Sequence, residues 1–287
     1  MSRRALLAGM ALIAAALPAL AYEIKPKTPE TAFSAKLVPD IVGLSSHVDA
    51  DKARALYESY LKDLPGVKPQ AVEQKFGSTN ISYVTAMTFE KPKAADHPGE
   101  TLASNFSSPA SGNFAYLIKR DLGFAKASQP TKADMIAHVT GKYGKPTVIG
   151  DGHLYYFYRK GKIVSVKQKY TPASALEALN GPVSPKAAVA LNDANGRGSC
   201  IAVLKHVEAI ADKSLNALLA EAKAAHCDAL LDVTLAAGGA SDHVSKATFT
   251  LIDFKRIVSA AKIDDEAFAA EKNAALNKAS SGNAPKL

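Results

Sequence analysis

The chain has no tryptophan and only two cysteines, Cys200 and Cys227, among its 287 residues. Without tryptophan it lacks the commonest sugar-stacking ring, which weighs against a carbohydrate site. Two cysteines far apart form neither a Cys-x-x-Cys redox pair nor a four-thiolate zinc site. Beyond the N-terminal leader no apolar run reaches the roughly 18 residues that span a bilayer, so no stable membrane anchor is expected. The net charge of +8 is dispersed along the chain. A nucleic-acid surface needs a basic stripe interleaved with aromatics, and none is present. No glycine loop has the spacing that cradles a phosphate. The seven histidines are scattered, with no i, i+4 pair that could ligate a metal. No cofactor, metal or catalytic residue is therefore assigned.

The first residues carry a clear address. Arg3 and Arg4 precede an apolar stretch from Ala5 to Leu17, and Ala19-Leu20-Ala21 is a small-residue cleavage signal. The pattern predicts a signal peptide over 1–21, cleaved before Tyr22. Ser2-Arg3-Arg4 also fits a loose twin-arginine pattern, but the short charged region and strongly apolar core favour the general secretory route. No cysteine follows that could be lipidated. The expectation is a soluble periplasmic protein in a compartment that permits disulfides. Removing 21 of 287 residues leaves 266, and the loss of two arginines lowers the charge from +8 to +6. That length allows one to three domains.

The stretch from Ser199 to Leu235 holds both cysteines and reads as strand, helix, strand. Ile201 to Val207 is a short apolar run. Asp212 or Ser214 can cap a helix bearing Leu215, Leu218, Leu219 and Ala222 on one face. Ala229 to Leu235 is a second strand. A right-handed crossover would bring the two strands together in parallel, with both cysteines at the same end of the sheet and within disulfide reach. A structural disulfide is the preferred reading, over half a zinc site or a catalytic thiol with His206 or His226. Gly196-Arg197-Gly198-Ser199-Cys200 is not a nucleophile elbow, and Asp193 to Gly198 lacks the ligands of a calcium loop.

The remaining chain divides as follows. Residues 22–39 are an extended arm rich in Lys, Pro and Thr. A first α+β module covers 40–90, with a helix capped by Asp49 or Asp51 and two strands joined by Gly77-Ser78-Thr79-Asn80. Residues 91–112, rich in Pro, Ser, Gly and Ala without periodicity, read as a linker or long loop. A second α+β module covers 113–182. It has a helix capped by Thr131 and Asp134, stopped by Gly144 and Pro146, and then antiparallel strands. A βαββ domain follows over 190–263, with a C-terminal helix over 264–279 and a disordered tail over 280–287. The fold class is thus α+β: two small helix-plus-antiparallel-sheet modules followed by a disulfide-stapled βαββ domain with C-terminal helices.

Thr131-Lys132-Ala133-Asp134-Met135, then Tyr143-Gly144-Lys145-Pro146, then Leu154-Tyr155-Tyr156-Phe157-Tyr158, resembles the module of small outer-membrane assembly lipoproteins, which is doubled in β-lactamase inhibitory proteins. The resemblance covers residues 131–170. It implies a helix pair on an antiparallel sheet and a protein-binding role. The lipidated cysteine of that family is absent here, so outer-membrane anchoring does not carry over.

A two-residue turn at Lys160-Gly161 sets the register of the hairpin from His153 to Gln168. Tyr158 should face Ile163, and Phe157 should face Val164. Tyr155, Phe157, Val164 and Val166 then share one side, expected to cover the helix from Thr131. Leu154, Tyr156, Tyr158, Ile163 and Lys167 share the other. Tyrosine hydroxyls beside aliphatics and a lysine suit an interface, so this side is the candidate partner-binding surface. The function expected is a non-enzymatic envelope interaction protein, with an envelope protein as partner. The competing class is a periplasmic hydrolase whose residues meet only in three dimensions.

Overall fold

A computed structural model describes residues 23–34, 36–64, 66–94, 97–166, 174–183, 200–238 and 242–282. Its strands are β1 (Gln70–Lys75), β2 (Ser82–Lys91), β3 (Gly99–Phe106), β4 (Ala115–Gly123), β5 (Val148–Gly150), β6 (His153–Arg159), β7 (Lys162–Ile163), β8 (Ala229–Ala237) and β9 (Val244–Asp253). Its helices are α1 (Ala50–Leu61), α2 (Lys132–Tyr143), α3 (Ala175–Asn180), α4 (Cys200–Ala209), α5 (Leu215–Ala224) and α6 (Phe254–Gly282). All nine strands join one antiparallel sheet in the order β1-β2-β3-β4-β9-β8-β6-β5, with β7 also paired to β6.

Helices pack on both faces of this sheet. The first face carries α1, α2 and α3 with the N-terminal arm, over a core that includes Phe33, Tyr57, Met87, Leu102, Tyr156, Leu231 and Leu251. The second face carries α4, α5 and the start of α6, over Tyr155, Phe157, Leu230 and Ile252. Alternation along β8 shows the logic. Leu231 and Val233 point to the first face and Leu230 to the second, and each is fully buried. A strand buried on both faces reads as a continuous apolar run. Each such side chain contributes roughly 1.5–3 kcal/mol on burial.

Local chemistry sets several boundaries as the sequence predicts. Asp49 caps α1 by accepting from the Lys52 amide at 2.9 Å. Thr131 caps α2 by accepting from the Asp134 amide at 3.1 Å. Gly144 ends α2 at φ +80°, a conformation that suits glycine. The β6–β7 register is Tyr158 opposite Ile163 and Arg159 opposite Lys162, as the turn requires.

The division into two modules and a βαββ domain is overturned, because one sheet runs through all three. The order places β9 between β4 and β8, so the segment expected to stand apart supplies the middle of the sheet. The stretch 91–112 is not simply a linker, since it contains β3. Ile201 to Val207 is not a strand but part of α4. Cys200, Val203, Leu204 and Val207 are its buried positions, a spacing of three and four that a short apolar run conceals. The C-terminal segments expected as two helices are one, α6, which continues past 279 to Gly282. The signal peptide and residues 184–199, which include the calcium-like loop, lie outside the described residues.

Candidate functional site

The predicted partner-binding side lies in the core. Leu154, Tyr156 and Tyr158 are all buried, and Ile163 is half-buried. The Tyr156 hydroxyl donates to the Gly144 carbonyl at 3.0 Å, and its ring packs on Tyr143 of α2. The Tyr158 ring meets Phe33 of the arm edge-on at 4.9 Å. The helix from Thr131 therefore covers this side, and the Tyr155/Phe157 side packs on the second-face core instead. Lys167 lies outside the described residues. In a strand covered on both faces, periodicity alone could not say which face met which helix.

The cysteines form the expected bond, Cys200–Cys227, with Cα atoms 6.1 Å apart. It joins the start of α4 to the turn before β8, not the ends of two parallel strands. Among the described residues no group of three or more His, Cys, Asp or Glu could hold a metal. Nor is any helix there long and apolar enough to cross a membrane.

Two polar constellations stand out on the second face. One is a pair on neighbouring strands. Asp232 of β8 has no exposed surface and contacts His153 Nδ1 of β6 at 3.0 Å, while the Thr234 hydroxyl donates to it at 2.8 Å. Burial lowers the imidazole's proton affinity, but the hydrogen bond and charge of Asp232 outweigh it and leave His153 above its ordinary value. An Asp–His pair is the orienting half of a hydrolytic triad. In a triad, however, the nucleophile meets the nitrogen opposite the carboxylate. Here the Thr234 hydroxyl lies 3.1 Å from the same Nδ1. The arrangement locks three side chains together and does not activate an attacking oxygen.

The other constellation is a cleft of about 350 Å3 beside the β1–β3 half of the sheet. Its floor is Val72, Gln74, Tyr83, Thr85, Asn105 and Tyr116, and its far wall is the start of α5 with Asp264, Asp265 and Phe268 of α6. Ser214 caps α5, and Asp212 in turn accepts from the Ser214 amide at 2.8 Å. The Tyr116 hydroxyl donates to the Lys213 carbonyl at 2.8 Å and ties β4 to that corner. Asp264 accepts from the Ser108 hydroxyl at 2.7 Å and from its amide at 3.2 Å.

Three carboxyl groups, Asp212, Asp264 and Asp265, and one ammonium, Lys213, line the cleft in a chain that is positive as a whole. Burial pushes the Asp264 carboxyl above the usual carboxylate range, and the charge of Asp265 adds to the rise. Burial raises Tyr83, with Asp264 contributing, and raises Tyr116, with Asp212 and Asp264 contributing. The cation at the rim, Lys213, gives its ammonium to the carbonyls of Val207 and Ile210 at the end of α4. Apolar rings beside convergent polar groups in a concave site are the usual form of a ligand pocket.

Sequence reasoning missed this cleft because its walls come from six elements. Asp264-Asp265 reads as a helix start, and Ser107 and Ser108 read as loop. The one available signal was the alternation of Leu102, Ser104 and Phe106, which marks β3 and puts Asn105 on the opposite face. No family model, curated protein or solved structure matches this chain.

Proposed function

We propose that this is an exported, non-enzymatic binding protein of the bacterial envelope, and that the cleft beside β1–β3 takes its ligand. The observation that carries the reading is the convergence of aromatic walls with three carboxylates, Asp212, Asp264 and Asp265, against one ammonium, Lys213, in a single cleft. Such a site suits a ligand with a cationic head on an apolar stem. A lysine or arginine side chain of an envelope protein has that form, and its charge would gain the carboxylates while its stem packs beside Tyr83 and Phe268. The N-terminal pattern from Arg3 to Ala21 supports export, and the resemblance of residues 131–170 to protein-binding modules supports a protein ligand. The hydrolase alternative is the weaker reading, because the hydroxyl at His153 lies on the nitrogen that Asp232 already holds.

The reading is tested in the cell envelope. Periplasmic protein should begin at Tyr22 by mass spectrometry, and an intact Met1 form confined to the cytoplasm would overturn the export claim. Quantitative pull-down from the protein's own envelope should lose its specific partner when Asn105→Trp fills the cleft or Asp265→Lys reverses its charge. A control, Lys142→Glu on the first face, should retain that partner. Unchanged capture by both cleft variants would remove the cleft from the function.

A further inference from the structure

The two edges of the sheet are finished differently. At one edge, β6 is flanked by two short strands, β5 and β7, of three and two residues. That edge is covered: a Cβ placed on Gly150 would stand 2.7 Å from the Val183 amide nitrogen. At the other edge, β1 is regular and exposed at every position, and Val72 is 53% exposed. The irregularity in the β1–β2 ladder lies on β2, where Val72 pairs with Ala86 and Glu73 with Val84, leaving Thr85 as the extra residue. The outer side of β1 is therefore a straight row of backbone donors and acceptors.

The direction of those groups can be read from their inner neighbours. Thr85 donates its hydroxyl to the Val72 carbonyl, and the Phe76 amide donates to the Ile81 carbonyl at 2.9 Å. Even-numbered residues thus turn toward β2, and Ala71, Glu73 and Lys75 turn their backbone outward. An antiparallel partner strand must match outward residues to outward residues. For a second copy of β1, every register centred on a residue keeps this phase, but centring on Ala71 sets Pro69 opposite Glu73 and centring on Lys75 sets two lysines opposite one another. Centring on Val72 sets Pro69, which has no amide proton, opposite Lys75. Centring on Glu73 sets two glutamates opposite one another. Centring on Gln74 sets Glu73 opposite Lys75, and the two-fold axis repeats that pair.

We propose that β1 is a self-association edge, on which a second copy of this chain pairs antiparallel about Gln74 through reciprocal Glu73–Lys75 contacts. Lysines on an edge strand usually repel intruding strands. Here each lysine meets a glutamate, so the charges select one register. The axis stands perpendicular to the sheet, so both copies present their second faces, and both clefts, on the same side. Within β1 only Glu73, Gln74 and Lys75 of each copy stand opposite one another in this register, a short pairing that buries less surface than a tight interface needs, so the dimer should be weak and concentration-dependent.

Sedimentation equilibrium of the disulfide-intact chain tests this directly. A monomer–dimer equilibrium is expected, with Glu73→Lys and Lys75→Glu each weakening the dimer about tenfold or more. The double variant, with both charges exchanged, should restore it. These positions are exposed, and unchanged thermal unfolding will show that each variant is folded. Amide exchange at Glu73 and Lys75 should slow as concentration rises. A protein monomeric up to about 1 mM would overturn the proposal. A dimer indifferent to both single charge reversals, or not restored by the exchange, would do so equally.

Discussion

The half of the sheet made by β4, β9, β8 and β6 is covered on both faces, whereas the half made by β1, β2 and β3 is covered on one. In β6, five consecutive residues from Leu154 to Tyr158 are buried. In β3, burial alternates from one residue to the next, and in β1 it is absent. The covered half holds the molecule together. The half-covered part keeps the cleft and a free edge. Buried core and open surface are thus divided along one continuous sheet, with β4 as the seam that lends Tyr116 to the cleft and Ile118 to the core.

The largest expected effect sets one half against the other. Tyr156→Ala removes a fully buried ring and the hydrogen bond to the Gly144 carbonyl. It should cost about 3–5 kcal/mol, which lowers the melting temperature by roughly 6–20 °C. Val72→Ala on β1 should stay within about 0.5 kcal/mol. Thermal denaturation of the two variants at low concentration measures the contrast. Similar losses from both would mean that β1 is covered in solution and that the contrast between the halves fails.

The same contrast explains what was legible in the sequence. The β1–β2 hairpin, β6, β8 and β9 were readable because their apolar residues stand out from polar turns. The caps at Asp49 and Thr131 and the hairpin register were readable because they depend on neighbours in the chain. Strand β3 was not, since its outward side bears Thr101, Ala103 and Asn105, and it lacks β-branched apolar residues. The residues that keep the cleft polar are those that hide the strand. Helix α4 was misread because Ile201 to Leu204 is apolar without a polar break. Neither the union of the modules nor the cleft was legible, because both depend on β9 entering between β4 and β8. That is a pairing between distant segments, and no local pattern encodes it.

A second, intermediate effect concerns the staple on the covered half. Cys200 and Cys227 enclose a sequence separation of 27 and fasten α4 beside β8. Closing such a loop stabilises by about 3.5 kcal/mol in the chain-entropy model. The double variant Cys200→Ser/Cys227→Ser should lose roughly 2–4 kcal/mol in denaturant unfolding. Amide exchange should accelerate in α4 while β2 and β3 change little. If β2 and β3 exchange faster to the same extent, the sheet opens as one unit, and the division into two halves describes burial but not cooperativity.

The smallest effect lies in the cleft and depends on pH. Burial holds the Asp264 carboxyl above its ordinary range, reinforced by Asp265 and opposed by hydrogen bonds from Ser111 and Ser108. A carboxyl with a raised folded value binds its proton more tightly in the folded state. Its contribution to stability is fully present below the unfolded value of about 3.9 and is lost as pH rises through the folded value. Asparagine does not titrate. The stability of Asp264→Asn relative to the parent should therefore rise as pH climbs from acid toward neutral and then level off. Melting curves across that window measure the difference. The same variant should capture the envelope partner less well, since a charge that is costly to keep buried is being removed from a recognition site. A relative stability that fell as pH rose would show instead that the Ser108 hydrogen bonds outweigh the burial of charge. Asp264 would then be a carboxylate held ionised by the framework around Ser108.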